Sequence, residues 1–256
     1  MILLLSAVAQ ENAYLRAQLF NPATCTCGPF EYQRGTLSAH SVAIATCGIG
    51  MANAAAVSAL LLEHLKPEAL VMCGCAGAYP PGGLNPGDLA LAEGEIYADT
   101  GAVTPEGFLS MRALNLPLFS CKDTHLYNRF PASEHLKTHA AQILTLFAQQ
   151  NSCAFAAGDF ATVAACSGTD RRAEALHCAT HAICENMEGA AVAHMCAMFG
   201  VPFLEIRAVS NMAENRDIRS WILDKAMQRA QEALLFWLRH TTPQFFILQE
   251  EPCHTP

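Results

Sequence analysis

Charge is scarce in this chain. Only 15% of its 256 residues are Asp, Glu, Lys or Arg, while 52% are apolar; soluble domains usually carry about a quarter charged. The 15 Lys and Arg are scattered singly and the net charge is -8, so no basic stripe exists for a nucleic-acid backbone. Long apolar runs are missing too, because Gly, Pro or a charge interrupts each one. That excludes a membrane-spanning helix. Met1-Ile2-Leu3-Leu4-Leu5 is short and lacks a basic leader, so it reads as a first core strand and the protein as cytoplasmic. There is no G-x-S-x-G elbow, no G-x-G-x-x-G and no Walker lysine. The 12 cysteines contain no C-x-x-C pair. They lie mostly in apolar segments, where cysteine packs as a small hydrophobe, and a reducing cytosol keeps them from pairing. The ten His form no ligand pair, so neither a metal nor a cofactor is expected. Repeats and linkers are absent as well.

What is present is alternation. Apolar strands are expected at Ile2–Ala7, Leu70–Cys73, Asp88–Ile96, Ala154–Ala157 and Phe203–Val209, with a hairpin at 31–46. Helices are expected from about Ala9 to Leu19, from Met51 to Leu65, over 133–150, 169–178 and 188–200, and from Trp221 to Leu238. Segments 21–29 and 97–132 read as a turn-rich loop and an irregular stretch. The last sixteen residues, 241–256, read as a loose tail or a docked strand. The sum is an α/β class: a single three-layer α/β/α domain over 1–256, around a twisted, mixed, mainly parallel sheet. So apolar a chain is also expected to bury surface in a homo-oligomer.

Chemistry concentrates between Cys184 and Asn211. Glu188 stands at a helix start beside Gly189-Ala190-Ala191, and Ser210-Asn211 end the next strand. Ligands of open α/β sheets bind beyond the carboxyl ends of strands, which makes Asn211 and Glu188 candidate ligand contacts. A capping Glu and a turn Asn explain the same residues equally well. The Gly48–Asn53 segment, containing Gly50, is either a cradle at a helix N-terminus or an ordinary α/β turn. The small residues Gly74–Ala78 either admit a flat ligand onto bare backbone or make a tight turn.

Four segments in order resemble the nucleoside phosphorylase/nucleosidase superfamily: CGIGMANAAA (47–56), CGCAG (73–77) with Gly87-Asp88 following, NMEGAA (186–191) and IRAVSN (206–211). TVAACSGTDRRAEAL (162–176) and SNMAENRDIRSW (210–221) are most similar to futalosine hydrolases of menaquinone biosynthesis. The resemblance implies a homo-oligomer, dimer or higher, acting on a small nucleoside without a cofactor, metal, nucleic acid or membrane. It implies that Glu188 accepts hydrogen bonds from ribose hydroxyls and that Asn211 faces purine N7. Glu11, or Gln10 beside it, activates or orients water. Cys75, Ala76 and Gly77 lie along the nucleoside, Phe160 and Thr162 line the base pocket, and Met187 packs under the sugar. Asp217 is the candidate relay for the N7 proton. Arg34, Arg112 and Arg171 are candidates for a substrate carboxylate. No cation accompanies Val71-Met72-Cys73-Gly74 or Gly48–Asn53, so a phosphate site is not expected and hydrolysis is. The rivals are a methylthioadenosine/adenosylhomocysteine-type nucleosidase, a phosphorylase borrowing arginine from a neighbouring subunit, and a binding domain without chemistry.

Overall fold

Alternation along the first strand, β1 (Ile2–Ser6), sets up the layers. Ile2 and Leu4 enter one apolar cluster, Leu3 and Leu5 another on the opposite face, as a period of two requires. The structure, a computed structural model, describes residues 1–246. After β1 come α1 (Ala13–Ala17), β2 (Phe20–Cys27), β3 (Phe30–Leu37), β4 (His40–Thr46), α2 (Met51–Leu65), β5 (Ala69–Ala78) and β6 (Leu89–Tyr97). Short strands follow: β7 (Gly101–Thr104), β8 (Gly107–Ser110), β9 (Phe119–Cys121), β10 (Thr124–Leu126) and β11 (Arg129–Pro131). The rest alternates: α3 (Glu134–Gln150), β12 (Phe155–Thr162), α4 (Asp170–Thr180), β13 (Cys184–Asn186), α5 (Gly189–Phe199), β14 (Phe203–Met212) and α6 (Leu223–Arg239).

The main sheet is mixed, in the order β11-β6-β12-β13-β5-β1-β4-β3-β2. β14 pairs with β5 on one side and β6 on the other, so β5, β14, β6, β12 and β13 close into a ring. The apolar stripes of α3 and α6 cover one face, with Leu136, Ala140, Leu144, Ala230, Leu234 and Trp237 packed on Ile2, Leu4, Val71 and Ile206. α2 and α5 cover the other, placing Val57, Leu61 and Val192 on Leu3, Leu5 and Met72. This is the three-layer α/β/α arrangement expected. No helix among the described residues is long and apolar enough to cross a membrane.

Several boundaries differ from the sequence reading, each for a physical reason. Residues 21–29 are mostly strand, not loop. β2 is an exposed edge with one partner, β3, where polar side chains and Pro22 are tolerated because one row of backbone groups faces water. Segment 97–132 holds two small hairpins, β7/β8 and β9/β10, and β11 on the sheet edge; three- and four-residue strands are too short to show a period. Gly74–Ala78 is not a turn but the end of β5, flanked by β13 and β14. β13 itself, three residues long, left no pattern to read. The last helix begins at Leu223 rather than Trp221. Of the tail, Pro243–Phe246 form a helical turn whose buried Phe246 packs on Trp237 and His40; residues 247–256 lie outside the described ones.

Candidate active site

The carboxyl ends of β1, β5 and β14 and the N-terminus of α5 surround a cavity of about 500 Å³. The turn after β1 bends Glu11 back over its own strand. Its Oε2 accepts from the backbone N–H of Ala7 (3.1 Å) and Val8 (3.2 Å), and its Oε1 from that of Cys75 (2.9 Å). The side chain fits only because residue 74 is glycine: a Cβ there would stand 2.5 Å from Oε1. Gln10 also lines the cavity but is exposed, whereas Glu11 is buried.

Glu188 occupies the N-cap position of α5. Its Oε1 accepts from Gly50 N–H at 2.9 Å. Gly50 has φ 92°, a conformation glycine reaches without a Cβ penalty, and so aims its N–H inward. The Gly48–Asn53 turn, read either as a ligand cradle or as an ordinary α/β turn, thus gives its Gly50 N–H to a protein carboxylate. Burial raises the pKa of Glu188, while Arg207 and the Gly50 N–H act against the rise. Arg207 sits in the buried part of β14. Its Nε donates to Glu205 Oε1 (2.5 Å), its Nη1 to the Cys75 carbonyl (2.7 Å), and its Nη2 lies 3.5 Å from Glu188 Oε2. It is the only Lys, Arg or His lining the cavity among the described residues.

The other end is built across Gly77. In the sheet, Asn211 of β14 and Glu185 of β13 stand on either side of it. A register shift between Val209 and Asn211 marks a bulge in β14 at that point; bulges re-aim side chains. Asn211 Oδ1 accepts from Ser210 Oγ (2.7 Å) and its Nδ2 donates to the Met212 carbonyl (2.9 Å). One N–H and one lone pair of the amide stay available. Glu185 accepts from Ser167 N–H (2.7 Å), Ser167 Oγ (2.6 Å) and Tyr79 Oη (2.9 Å), which pins the loop after β12 to the cavity wall.

Of the residues expected from sequence, Glu11, Glu188, Asn211, Cys75, Ala76, Gly77 and Met187 line the cavity. Others stand elsewhere. Phe160 is fully buried among Ala76, Ala78 and Val209 behind the wall. Thr162 is buried too, donating to Glu95 Oε2 (2.6 Å) and accepting from Ala190 N–H (2.7 Å). Both belong to β12, itself a strand of that ring, and both side chains are taken up by the protein interior. Asp217 lies outside the cavity lining, bound to Arg219 through both carboxylate oxygens (2.8 Å each); Asp224 lines the cavity instead. None of Arg34, Arg112 and Arg171 lines it, and Arg112 rests over the Tyr127 ring. Burial pushes the Cys47 and Cys75 thiols up to about 12, so neither is a thiolate nucleophile.

Arg207, Glu185 and Trp221 were missed in the sequence. Arg207 had left a trace: an arginine inside an apolar strand must be paired when buried. Glu185 sits in a strand of three residues, too short to show a period, and Trp221 reads in the sequence as the start of the last helix rather than as a cavity residue.

A family model described as the phosphorylase superfamily matches residues 2–237. Among solved structures, the chain is similar to a methylthioadenosine/S-adenosylhomocysteine nucleosidase from Streptococcus pneumoniae, with 25% identity, TM-score 0.78, and 93% of this chain and 98% of that one covered. It is similar to the corresponding nucleosidase of Neisseria meningitidis (21%, 0.80, 94% and 99%). It is similar as well to a futalosine hydrolase of Helicobacter pylori (21%, 0.76, 94% and 97%). At 21% identity the likeness shows a shared fold and leaves substrate to the site itself. The match over nearly the whole length, with the cavity at the carboxyl ends of the same strands that carry the motifs, places this chain in the phosphorylase superfamily.

Proposed function

We propose that this protein hydrolyses the N-ribosidic bond of a purine nucleoside, and that the nucleoside is futalosine, cleaved to hypoxanthine and dehypoxanthinyl futalosine. One observation carries the reading: Glu11 and Glu188 enter a single cavity whose one lining cation, Arg207, is already held by Glu205, Glu188 and the Cys75 carbonyl. Phosphorolysis needs a free guanidinium or its equivalent for phosphate. Incoming phosphate would here meet the carboxyl groups of Glu11 and Glu188 and, among the described residues, no free cation, whereas water needs none. Glu11, fixed by three backbone N–H groups, orients water and takes its proton. Glu188 accepts from the ribose hydroxyls, and both acidic groups favour the oxocarbenium-like sugar that forms as the base departs.

Futalosine is favoured over adenine nucleosides by the amide of Asn211, whose free N–H and lone pair match O6 and N7–H of a departing 6-oxopurine; the N7 proton is delivered by water, since the amide has none to give. The Helicobacter pylori futalosine hydrolase has this fold, but so do methylthioadenosine/S-adenosylhomocysteine nucleosidases, which are the second reading. The proposal includes a cytoplasmic homo-oligomer; the exposed Ile49 and Leu60 at and along α2 are apolar surface suited to it. The test is incubation with futalosine, inosine, aminodeoxyfutalosine and methylthioadenosine, with and without phosphate, measuring free base and sugar product. Hypoxanthine should appear fastest from futalosine, at a rate that phosphate does not change. Formation of ribose 1-phosphate, or faster adenine release from methylthioadenosine, overturns it.

A further inference from the structure

Beneath the N-terminus of α5, two carboxyl groups meet away from water. Glu95 of β6 and Glu205 of β14 are both fully buried. A Cβ on Gly189 would collide with Glu95 Oε1 and Glu205 Oε2 alike, so these two oxygens share the space that the glycine leaves. Glu95 Oε2 accepts from Thr162 Oγ1 (2.6 Å) and Glu95 Oε1 from Asn186 Nδ2 (2.7 Å). Glu205 Oε1 accepts from Arg207 Nε, but Glu205 Oε2 has no donor among the described residues. A buried acceptor left without a donor is costly, and two adjacent carboxylates repel. A single proton between them removes both penalties.

We infer that Glu95 carries a proton at neutral pH, donates it from Oε1 to Glu205 Oε2, and so acts as a positioning residue for Glu188. The proton belongs on Glu95 because its other partners, Thr162 and Asn186, are neutral, whereas Glu205 binds the Arg207 guanidinium directly. Burial and the neighbouring Glu205 both hold Glu95 well above the usual carboxylate range. Two routes lead from it to Glu188. One runs through Glu205 to Arg207, and from Arg207 Nη2 to Glu188 Oε2. The other runs through Asn186, whose Oδ1 accepts from the N–H of Glu188 (2.9 Å) and Gly189 (2.8 Å). Besides Glu205 and Arg207, the titratable groups near Glu95 are Tyr97 on its own strand and Cys184 on β13; both are pushed towards their neutral forms by burial. The Thr162 and α5 contacts are uncharged. Among Glu95, Tyr97 and Cys184, Glu95 is therefore the group that ionises as pH rises, and its repulsion of Glu205 loosens the hold of Arg207 on Glu188. The sign follows from linkage: a carboxyl whose folded pKa is raised stabilises at low pH, and that contribution is lost as pH climbs through the folded value.

The inference rests on the nucleosidase reading only for what Glu188 does, and the test separates the two. Infrared difference spectra of wild type minus E95Q at neutral pH need no substrate. They should show the carbonyl stretch of one protonated carboxyl in the wild type only. With the nucleoside that gives most free base, kcat/KM against pH should decline on the alkaline side in wild type. E95Q keeps a donor towards Glu205 but meets Asn186 Nδ2 less well, so it should lose roughly three- to tenfold at neutral pH and also lose the alkaline decline. E95L, with no donor, and E205Q, with no charge for Arg207, should each lose on the order of a hundredfold. A wild type without the protonated-carboxyl band, an E95Q pH profile that superimposes on wild type, or an E205Q as active as E95Q would overturn it.

Discussion

The two ends of the cavity are made differently. At the end near β1 and α5, Glu11 and Glu188 are buried and tied to backbone N–H groups from three separate segments, with Arg207 behind them. At the other end, Asn211 is half-buried, and among the described residues its side chain bonds to its sequence neighbours, Ser210 and Met212. Beyond the strands that carry it, this end is walled by loops: the segment pinned by Glu185 and the rim at Trp221, whose ring carries the Arg216 guanidinium 4.5 Å above it. Charge development demands groups already oriented before the reaction, because reorientation during bond cleavage costs activation energy. Recognition of a base tolerates a softer wall. The first end is therefore suited to bond cleavage and the second to the choice of substrate, and substitutions at the two ends should differ in kind.

The largest effects belong to the first end. Glu188→Gln keeps the shape but weakens charge-assisted bonds to ribose and the balance with Arg207. It should lower kcat/KM on the order of 10²–10³-fold. Glu11→Gln should be comparably severe, because the amide places an N–H against one of the backbone donors and cannot take a proton from water. Gln10→Ala, at the exposed rim, should lose under about tenfold. An active Glu11→Gln beside an inactive Gln10→Ala would move the water-activating role one residue back. Neither result should depend on the base carried by the substrate.

One substitution made twice in the same strand tests the division directly. In Gly74→Ala the new Cβ would lie 2.5 Å from Glu11 Oε1 and 3.2 Å from Arg207 Nη1. Neither side chain has room to retreat, so kcat should fall by about ten- to a hundredfold for every nucleoside, as expected when a positioned group is displaced. In Gly77→Ala the nearest atom is Asn211 Nδ2 at 3.2 Å, then Glu185 Cγ at 3.5 Å. A half-buried amide can yield a few tenths of an ångström, so the loss should be a few-fold and should vary with the base. Steady-state kinetics on both variants with two different nucleosides decides it; equal, base-independent losses would remove the distinction between the ends.

The same contrast explains what was legible in the sequence. The layered fold was, because strands such as Ile2–Ser6 and helices such as Glu134–Gln150 carry full periods. Glu188 and Asn211 stood out because one starts a helix and the other ends a strand, where sequence signals are strongest; Glu11, with Gln10 as its alternative, came from the resemblance. Phe160 and Thr162 were assigned to the base pocket by resemblance, but nothing in the sequence of β12 reveals that β14 bridges β5 and β6 and closes a ring of which β12 is part. Asp217 and Asp224 lie seven residues apart, and only the course of the chain between them decides that Asp224 faces the cavity. Partnerships such as Glu95 with Glu205 join strands 110 residues apart and leave no local mark.

The smallest change in rate, and the clearest change in preference, should come from Asn211→Asp. A 6-oxopurine presents an acceptor at O6 and, as it departs, a proton on N7; the asparagine amide donates to one and accepts from the other. A 6-aminopurine presents a donor at position 6, which faces the amide N–H. Turning the amide over would sacrifice the N7–H contact and also set its oxygen against the Met212 carbonyl, to which Nδ2 now donates at 2.9 Å. One unpaired buried polar group costs roughly 1–3 kcal/mol, about ten- to a hundredfold in preference. In Asn211→Asp the oxygen replacing Nδ2 faces that same carbonyl, whose negative end disfavours the ionised acid, and the one proton of the neutral acid sits on the other oxygen, which faces N7. That acid donates to N7 through its hydroxyl and accepts from the 6-amino group through its other oxygen. The variant should thus shift kcat/KM by about tenfold or more toward aminodeoxyfutalosine and methylthioadenosine relative to futalosine, with total activity on the better substrate changed far less than in Glu188→Gln. A wild type that already prefers the adenine compounds, or a variant with an unchanged ratio, would show that the base is read by a group other than Asn211.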